Sequence, residues 1–141
     1  MPVNRKQPER TQRAAQFLAA SELVRRNYVV SLTTANRTPD AGLTVRTQTG
    51  AQFRVDVKGL STDDEWHIAP RQTRPSRFHI LVRVDDTRDQ DRFFILPQSD
   101  VHRLLQECKD ARLADSTRAI PILYLEIFED KWELLPPAQT I

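Results

Sequence analysis

The chain has 141 residues, of which 39% are hydrophobic and 28% are charged, and its formal net charge at pH 7 is +2. This length and composition are typical of one globular domain, and they exclude a disordered chain, a collagen-like repeat and a disulfide-framework scaffold. The longest apolar runs, such as residues 93–96, have four members, whereas a membrane-spanning helix needs roughly 20 apolar residues.

The single cysteine, Cys108, permits no internal disulfide and is typical of a protein in the reducing cytoplasm. Residues 1–13 are polar and lack the apolar core of a secretory signal peptide. We therefore expect a cytoplasmic protein without a membrane partner.

The charges are divided unevenly along the chain. Residues 1–80 carry 13 Lys and Arg against 7 Asp and Glu, a net charge of +6, whereas residues 81–141 carry 8 against 12, a net charge of −4. Of the 21 basic residues, 17 are arginine, whose guanidinium group suits forked contacts with phosphate. The asymmetry indicates a polyanionic partner, but genomic base composition explains the arginine content equally well.

The predicted elements begin after a polar segment. Residues 1–10, with two prolines and four charges, predict a flexible tail in front of a domain over residues 11–141. Residues 11–26 predict a helix that is apolar nearly all round and therefore largely buried. Runs of β-forming residues then predict strands at residues 28–32, 43–48 and 51–60, the last two joined by a turn at Thr49-Gly50.

The second half of the chain continues this alternation of element types. Residues 66–68 extend or cover the sheet, and further segments predict two strands, a helix and a last strand at residues 78–84, 92–96, 101–113 and 122–128. The order predicts a single α/β domain, in which a mixed central β-sheet is flanked by helices.

One strand combines charged residues in an informative pattern. Residues 53–58 alternate between apolar and charged side chains, so Asp56 and Lys58 lie side by side on one face. Pro39-Asp40 precedes the strand that forms a hairpin with this one, which brings Asp40 near Asp56. Two carboxylates beside a lysine suit a divalent cation and an activated water. The alternative is an exposed polar face with an Asp56–Lys58 ion pair of little energetic consequence.

The pattern Pro39-Asp40 followed by Asp56-Val57-Lys58 resembles the signature of the PD-(D/E)xK nuclease superfamily, whose fold is called restriction-endonuclease-like. Glu22, on the first predicted helix, is similar to a glutamate that many members place there. The resemblance is to small stand-alone bacterial members and Holliday-junction-resolvase-like proteins, and it covers most of residues 12–113. The second acid is an aspartate where glutamate is commoner, and a separate recognition domain is lacking.

This resemblance implies a metal-dependent endonuclease that hydrolyses DNA phosphodiester bonds with a metal-activated water. Asp40, Asp56 and the backbone carbonyl of Val57 would bind Mg²⁺ or Mn²⁺, and Glu22 would assist directly or through a bound water. Lys58 would orient or polarise the attacking water. Related nucleases often cut both strands as homodimers, so a homodimer is expected by analogy.

Two further expectations concern the residues after Lys58. Gly59 would allow a close backbone approach. Arg71, Arg74 and Arg77 lie in a basic segment, for which we predict contacts with DNA phosphates; the alternative is a solvated loop.

The alternative to a nuclease is a catalytically inactive module of the same fold that binds nucleic acid or a protein partner.

Overall fold

The computed structural model describes residues 7–32, 41–61, 65–67, 77–85, 87, 90–110 and 119–139. Their elements, in chain order, are α1 (Gln7–Arg25), β1 (Val29–Leu32), β2 (Ala41–Arg46), β3 (Gln52–Leu60), β4 (Glu65–His67), β5 (Arg77–Arg83), β6 (Arg92–Pro97), α2 (Gln98–Asp110), β7 (Ala119–Pro121) and the 3₁₀ helices η1 (Ile122–Phe128) and η2 (Trp132–Leu134).

Five of the strands form one mixed sheet in the order β1-β2-β3-β5-β6. Strands β3 and β5 are parallel, and the other neighbours in the sheet are antiparallel. Strands β4 and β7 pair separately as a two-stranded antiparallel sheet. The prediction of a single α/β domain with a mixed central sheet is confirmed. Within the described ranges, no helix is both long and apolar enough to cross a membrane.

Helix α1 packs across one face of the sheet. It begins at Gln7, four residues before the predicted start, so residues 7–10 are helical and do not belong to a flexible tail. Pro8 is tolerated there because the N–H groups of the first turn have no partner within the helix. Ala15, Ala19 and Leu23 are fully buried between the helix and the strands. Their small and branched side chains let the helix lie close to the sheet.

A second layer covers the opposite face of β5 and β6. Leu81 and Phe94 point to this side and are fully buried against α2 and the small β4–β7 sheet, which contribute Leu104, Trp66 and Ile120. Helix α2 begins at Gln98, three residues before its predicted start. The domain therefore has three layers over β5 and β6, with an apolar core on each side of the sheet.

The strand predicted at residues 122–128 is wrong, because these residues form η1. The preceding strand β7 ends at Pro121, which has no N–H to donate to a continuing ladder. Leu125 and Phe128 are buried, and their spacing of three matches the repeat of a 3₁₀ helix. The apolar content of the segment correctly predicts that part of it is buried, but its buried residues recur every three positions and not every two as in a strand.

The residue after η1 is tied to the central sheet. Arg92 Nε and Nη2 each donate a hydrogen bond of 3.0 Å to the Glu129 carboxylate, and the backbone N–H of Asp130 donates to the Phe93 carbonyl at 2.8 Å. The hydrogen bonds from Arg92 lower the pKa of Glu129 below its usual value. These contacts fix the C-terminal segment against the edge strand β6.

The close approach expected at Gly59 is confirmed. A Cβ atom at this position would lie 2.7 Å from the Thr11 carbonyl oxygen and 2.7 Å from the Ala15 Cβ. Both atoms belong to α1, so the glycine sets the distance between the helix and the end of β3. The Gly59 N–H also donates to Gln12 Oε1 at 2.9 Å, which holds the two elements in register.

We expect Gly59→Ala to lower the free energy of unfolding by about 1–3 kcal/mol, the usual cost of overpacking. The added methyl group must displace a backbone carbonyl of α1, which cannot rotate away as a side chain can. Urea denaturation at neutral pH measures the change. Arg46→Ala, at an exposed position on β2, is the control and should stay within about 0.5 kcal/mol of the wild type. Equal stability of Gly59→Ala and wild type would contradict the close approach.

Candidate nucleic-acid interface

The central sheet leaves one part of its surface polar. Strand residues Phe53, Val55 and Val57 point towards α1 and are buried, so the alternate residues of β3 point to the other face. Over β1, β2 and β3 this other face is outside the apolar core formed by α2 and the small sheet. We call the part formed by β1, β2 and residues 52–58 of β3 the open face; apart from Val29 at its edge, its side chains are those of Ser31, Thr44, Arg46, Gln52, Arg54, Asp56 and Lys58.

Asp56 lies at the centre of the charged part of this face. Its carboxylate accepts a hydrogen bond of 3.2 Å from Arg54 Nε and forms an ion pair of 3.5 Å with Arg77 Nη1. The side chain of Asp56 is only 12% exposed, so its main partners are these two guanidinium groups and not water. Arg54 and Arg77 are direct neighbours on the parallel strands β3 and β5. The carboxylate therefore keeps two guanidinium groups together on one surface.

Gly42 provides the space for one of these guanidinium groups. It pairs with Asp56 across β2 and β3, and the Arg54 side chain lies over it, with Cζ 2.8 Å from where a Cβ would be. A larger residue at this position would displace the guanidinium. The absence of a side chain at Gly42 therefore allows Arg54 to lie over β2.

Two further cations lie on the same face. Arg46 is exposed and Lys58 is partly exposed, and neither forms an ion pair within the part of the chain that the structure describes. Among the described residues, these two cations with Arg54 and Arg77 give four positive charges against the one negative charge of Asp56, a net charge of +3. A surface of this kind raises the local concentration of anions and speeds their association.

The predicted site residues on β3 are placed together, with different partners from those expected. Asp56 and Lys58 share the open face, but Asp56 pairs with Arg54 and Arg77 and not with Lys58. Arg77 is the first residue of β5, so the phosphate contact predicted for it falls on the same surface. Asp40, Arg71 and Arg74 lie outside the described residues. Ala41, the next residue after Asp40, pairs with Val57.

The other two predicted metal ligands, Glu22 and the Val57 carbonyl, accept hydrogen bonds from side chains of the protein. Glu22 lies on α1, on the opposite side of the sheet from Asp56, and its carboxylate accepts a hydrogen bond of 2.5 Å from Arg26. The Val57 carbonyl accepts a hydrogen bond of 2.6 Å from Gln12 Nε2. The described ranges contain no group of three or more His, Cys, Asp or Glu side chains that could hold a metal ion. These residues alone do not fit the Mg²⁺ or Mn²⁺ site that the resemblance implies.

Sequence reasoning missed Gln12 and Gln16, which join α1 to the end of the hairpin. Gln12 contacts both Val57 and Gly59, and the buried Gln16 donates a hydrogen bond of 3.3 Å to the Gly42 carbonyl. The sequence does indicate that these two amides are buried, because they are four residues apart on the same helix face as Ala15 and Ala19. A polar side chain on a buried helix face needs a partner, and here the backbone of β2 and β3 supplies it.

Comparison with protein-family models, with curated proteins and with solved structures finds no match to this chain.

Proposed function

We propose that this protein binds the phosphodiester backbone of DNA through the open face of its central sheet. The observation that supports this most is that four cations, Arg46, Arg54, Lys58 and Arg77, share this surface with Asp56, its one carboxylate among the described residues. Binding of this kind gains its free energy mainly from the release of counterions from the phosphates. It requires no contact with the base edges, so it is expected to be independent of sequence.

The ion pairs of Asp56 place two guanidinium groups side by side, and a phosphate would compete with the carboxylate for them. They hold the guanidinium groups of Arg54 and Arg77 in place before a ligand arrives, so less side-chain entropy is lost on binding. Arg46 and Lys58 have no ion pair within the described ranges to give up. The resemblance of Asp56-Val57-Lys58 to a nuclease signature identifies DNA as the polyanion to test first.

The test is a salt titration of binding, followed by the fluorescence anisotropy of labelled duplex and single-stranded DNA. If all four cations contact phosphates, the logarithm of the association constant should fall linearly with the logarithm of the salt concentration, with a slope of roughly −3 to −4. Duplexes of unrelated sequence should bind equally well. Absence of binding at low salt, or a slope near zero, would contradict the proposal.

The second candidate function is metal-dependent hydrolysis of DNA by the same surface. It is favoured by the placement of Asp56 and Lys58 on one face of β3, beside a strand that starts directly after Asp40. Lys58 would supply a positive charge next to the phosphate that is cut. Since the described residues do not complete a metal site, no metal-dependent step is assigned to them.

A further inference from the structure

The outer side of η1 is largely apolar. A 3₁₀ helix has three residues per turn, so its side chains form three rows along the axis. One row, with Leu125 and Phe128, is buried in the core, so the other two rows face outward. They carry Leu123, Tyr124 and Ile127, which we call the η1 surface; Leu123 is 66% exposed and Ile127 is 68% exposed. Exposed apolar side chains grouped in this way mark a surface that associates with another molecule.

The charges next to the η1 surface are mostly negative. Residues 122–135 contain four acids and one base, Lys131. Glu126 lies in the same outward row as Leu123, and Asp130 is three residues after Ile127, so their Cα atoms are at most about 11 Å apart. Both acids are exposed and form no ion pair with any described residue. The η1 surface is therefore bordered by negative charge that the described residues do not neutralise.

This combination determines the class of molecule that fits. An anionic polymer or an anionic membrane would be repelled by Glu126 and Asp130, whereas lysine and arginine side chains would be attracted. Because η1 is a helix and not a strand, it offers no sheet edge to which an extended peptide could be added. The matching partner is a helix with apolar residues on one side and basic residues along the border of that side.

We propose that the η1 surface binds a basic amphipathic helix of a partner protein. The apolar side of this helix covers Leu123, Tyr124 and Ile127, and its lysines or arginines lie beside Glu126 and Asp130. The seven residues of η1 span about 14 Å at 2.0 Å per residue, which corresponds to about nine residues of an α-helix. The contact therefore involves two to three turns of the partner, with apolar residues at spacings of three and four.

This partner site is separate from the open face. Helix η1 packs into the core that α2 and the small sheet form, and Glu129, directly after it, pairs with Phe94 of β6. Strand β6 is at the opposite end of the sheet order from β1 and β2. Since the two surfaces share no residue and carry opposite charges, both can be occupied at once. Binding of the helix does not depend on DNA and is measured without it.

The test measures the fluorescence anisotropy of labelled helical peptides of about 14 residues with the full chain. The peptides share leucines at spacings of three and four, and all other positions are lysine in one peptide, glutamine in the second and glutamate in the third. We expect the lysine peptide to bind roughly tenfold more tightly than the glutamine peptide, and the glutamate peptide not to bind. A higher salt concentration should reduce the preference for lysine, because it screens exposed charges.

Two double variants separate the apolar contacts from the charges. Leu123→Ser/Ile127→Ser should weaken binding of the lysine peptide at least tenfold, because the two most exposed apolar contacts are lost. Glu126→Gln/Asp130→Asn should keep the apolar contacts but bring the affinities for the lysine and glutamine peptides within about threefold of each other.

The matched control is Phe17→Ser/Val24→Ser. It removes two apolar side chains of similar exposure, 55% and 57%, from α1, where Arg13 and Arg25 are exposed on the same helix. Binding of the lysine peptide should not change. Since every substituted side chain in the three variants is exposed, circular dichroism should show the wild-type fold in each of them.

Three results with the peptides would overturn the proposal. They are a lysine peptide that does not bind to wild type, equal affinities for the lysine and glutamate peptides, and an equal loss of binding in the control variant. Sedimentation of the protein without peptide tests for a different occupant. Self-association of wild type that is lost in Leu123→Ser/Ile127→Ser would assign the η1 surface to a second copy of the chain, which would also overturn the proposal.

Discussion

Replacement of Arg46 and Lys58 together by alanine is expected to weaken DNA binding roughly 200-fold at 50 mM salt and roughly 20-fold at 200 mM salt. Each cation that contacts a phosphate contributes about 0.9 to the slope of the logarithm of affinity against the logarithm of salt concentration. Loss of two contacts should therefore make that slope shallower by about 1.8. The loss of affinity is larger at lower salt concentration, because the release of counterions then contributes more free energy to binding.

Arg46 and Lys58 are the right pair to remove because they have no ion-pair partner among the described residues. Removal of Arg54 or Arg77 would also leave the nearly buried Asp56 carboxylate with one partner fewer, so stability and binding would change together. The matched control is Lys109→Ala/Lys131→Ala, which removes two exposed cations that lie outside the open face and have no ion pair among the described residues. An equal loss of affinity in this control, or a loss that does not depend on salt, would show that the open face is not the binding surface.

Much of the fold can be predicted from local patterns in the sequence. The alternation in residues 53–58 predicts which side chains of β3 are buried, and Thr49-Gly50 predicts the hairpin turn, where Gly50 has a φ of 94°. Such patterns depend on the period of the strand and on the conformational range of one residue. They can be read without knowledge of the rest of the molecule.

The partners of charged residues could not be read in this way. Asp56 and Lys58 are neighbours on one strand, yet the carboxylate pairs with Arg54 and with Arg77 of β5. Arg77 reaches Asp56 only because β3 and β5 are adjacent and parallel, with β4 placed elsewhere in the fold. Strand order is a property of the whole chain, so the sequence around Asp56 contains no sign of it.

The position of Glu22 has the same explanation. Its spacing on α1 is compatible with a site at β3, but the side of the sheet on which the helix packs decides what it can reach. Helix α1 covers the face of Val55 and Val57, whereas Asp56 points the other way. Which face a helix covers depends on the chain connections and the twist of the sheet, and the residues of the helix do not specify it.

Asp56→Asn is expected to change binding and cleavage in opposite directions. The substitution removes the one negative charge that the described residues place beside these cations, so DNA should bind about fivefold tighter, given about 1 kcal/mol for one unit charge at 4 Å in water. If the second candidate function is correct, the cleavage that wild type shows with Mg²⁺ or Mn²⁺ should fall to background in the same variant. The amide has nearly the same shape but is a poorer ligand for a hard cation.

Lys58→Ala is the companion variant, since it should lose both cleavage and part of the affinity. The measurements are anisotropy for binding and gel analysis of duplex, nicked, branched and single-stranded DNA for cleavage, with all three proteins purified in parallel. Loss of the Asp56 charge should lower the free energy of unfolding by about 1–2 kcal/mol, because Arg54 and Arg77 lose a charged partner. Urea denaturation therefore verifies that the variant is folded.

Binding without cleavage by wild type on every substrate would reject the nuclease candidate and leave the DNA-binding proposal in place. Weaker binding by folded Asp56→Asn would contradict the view that phosphate and this carboxylate compete for the same arginines.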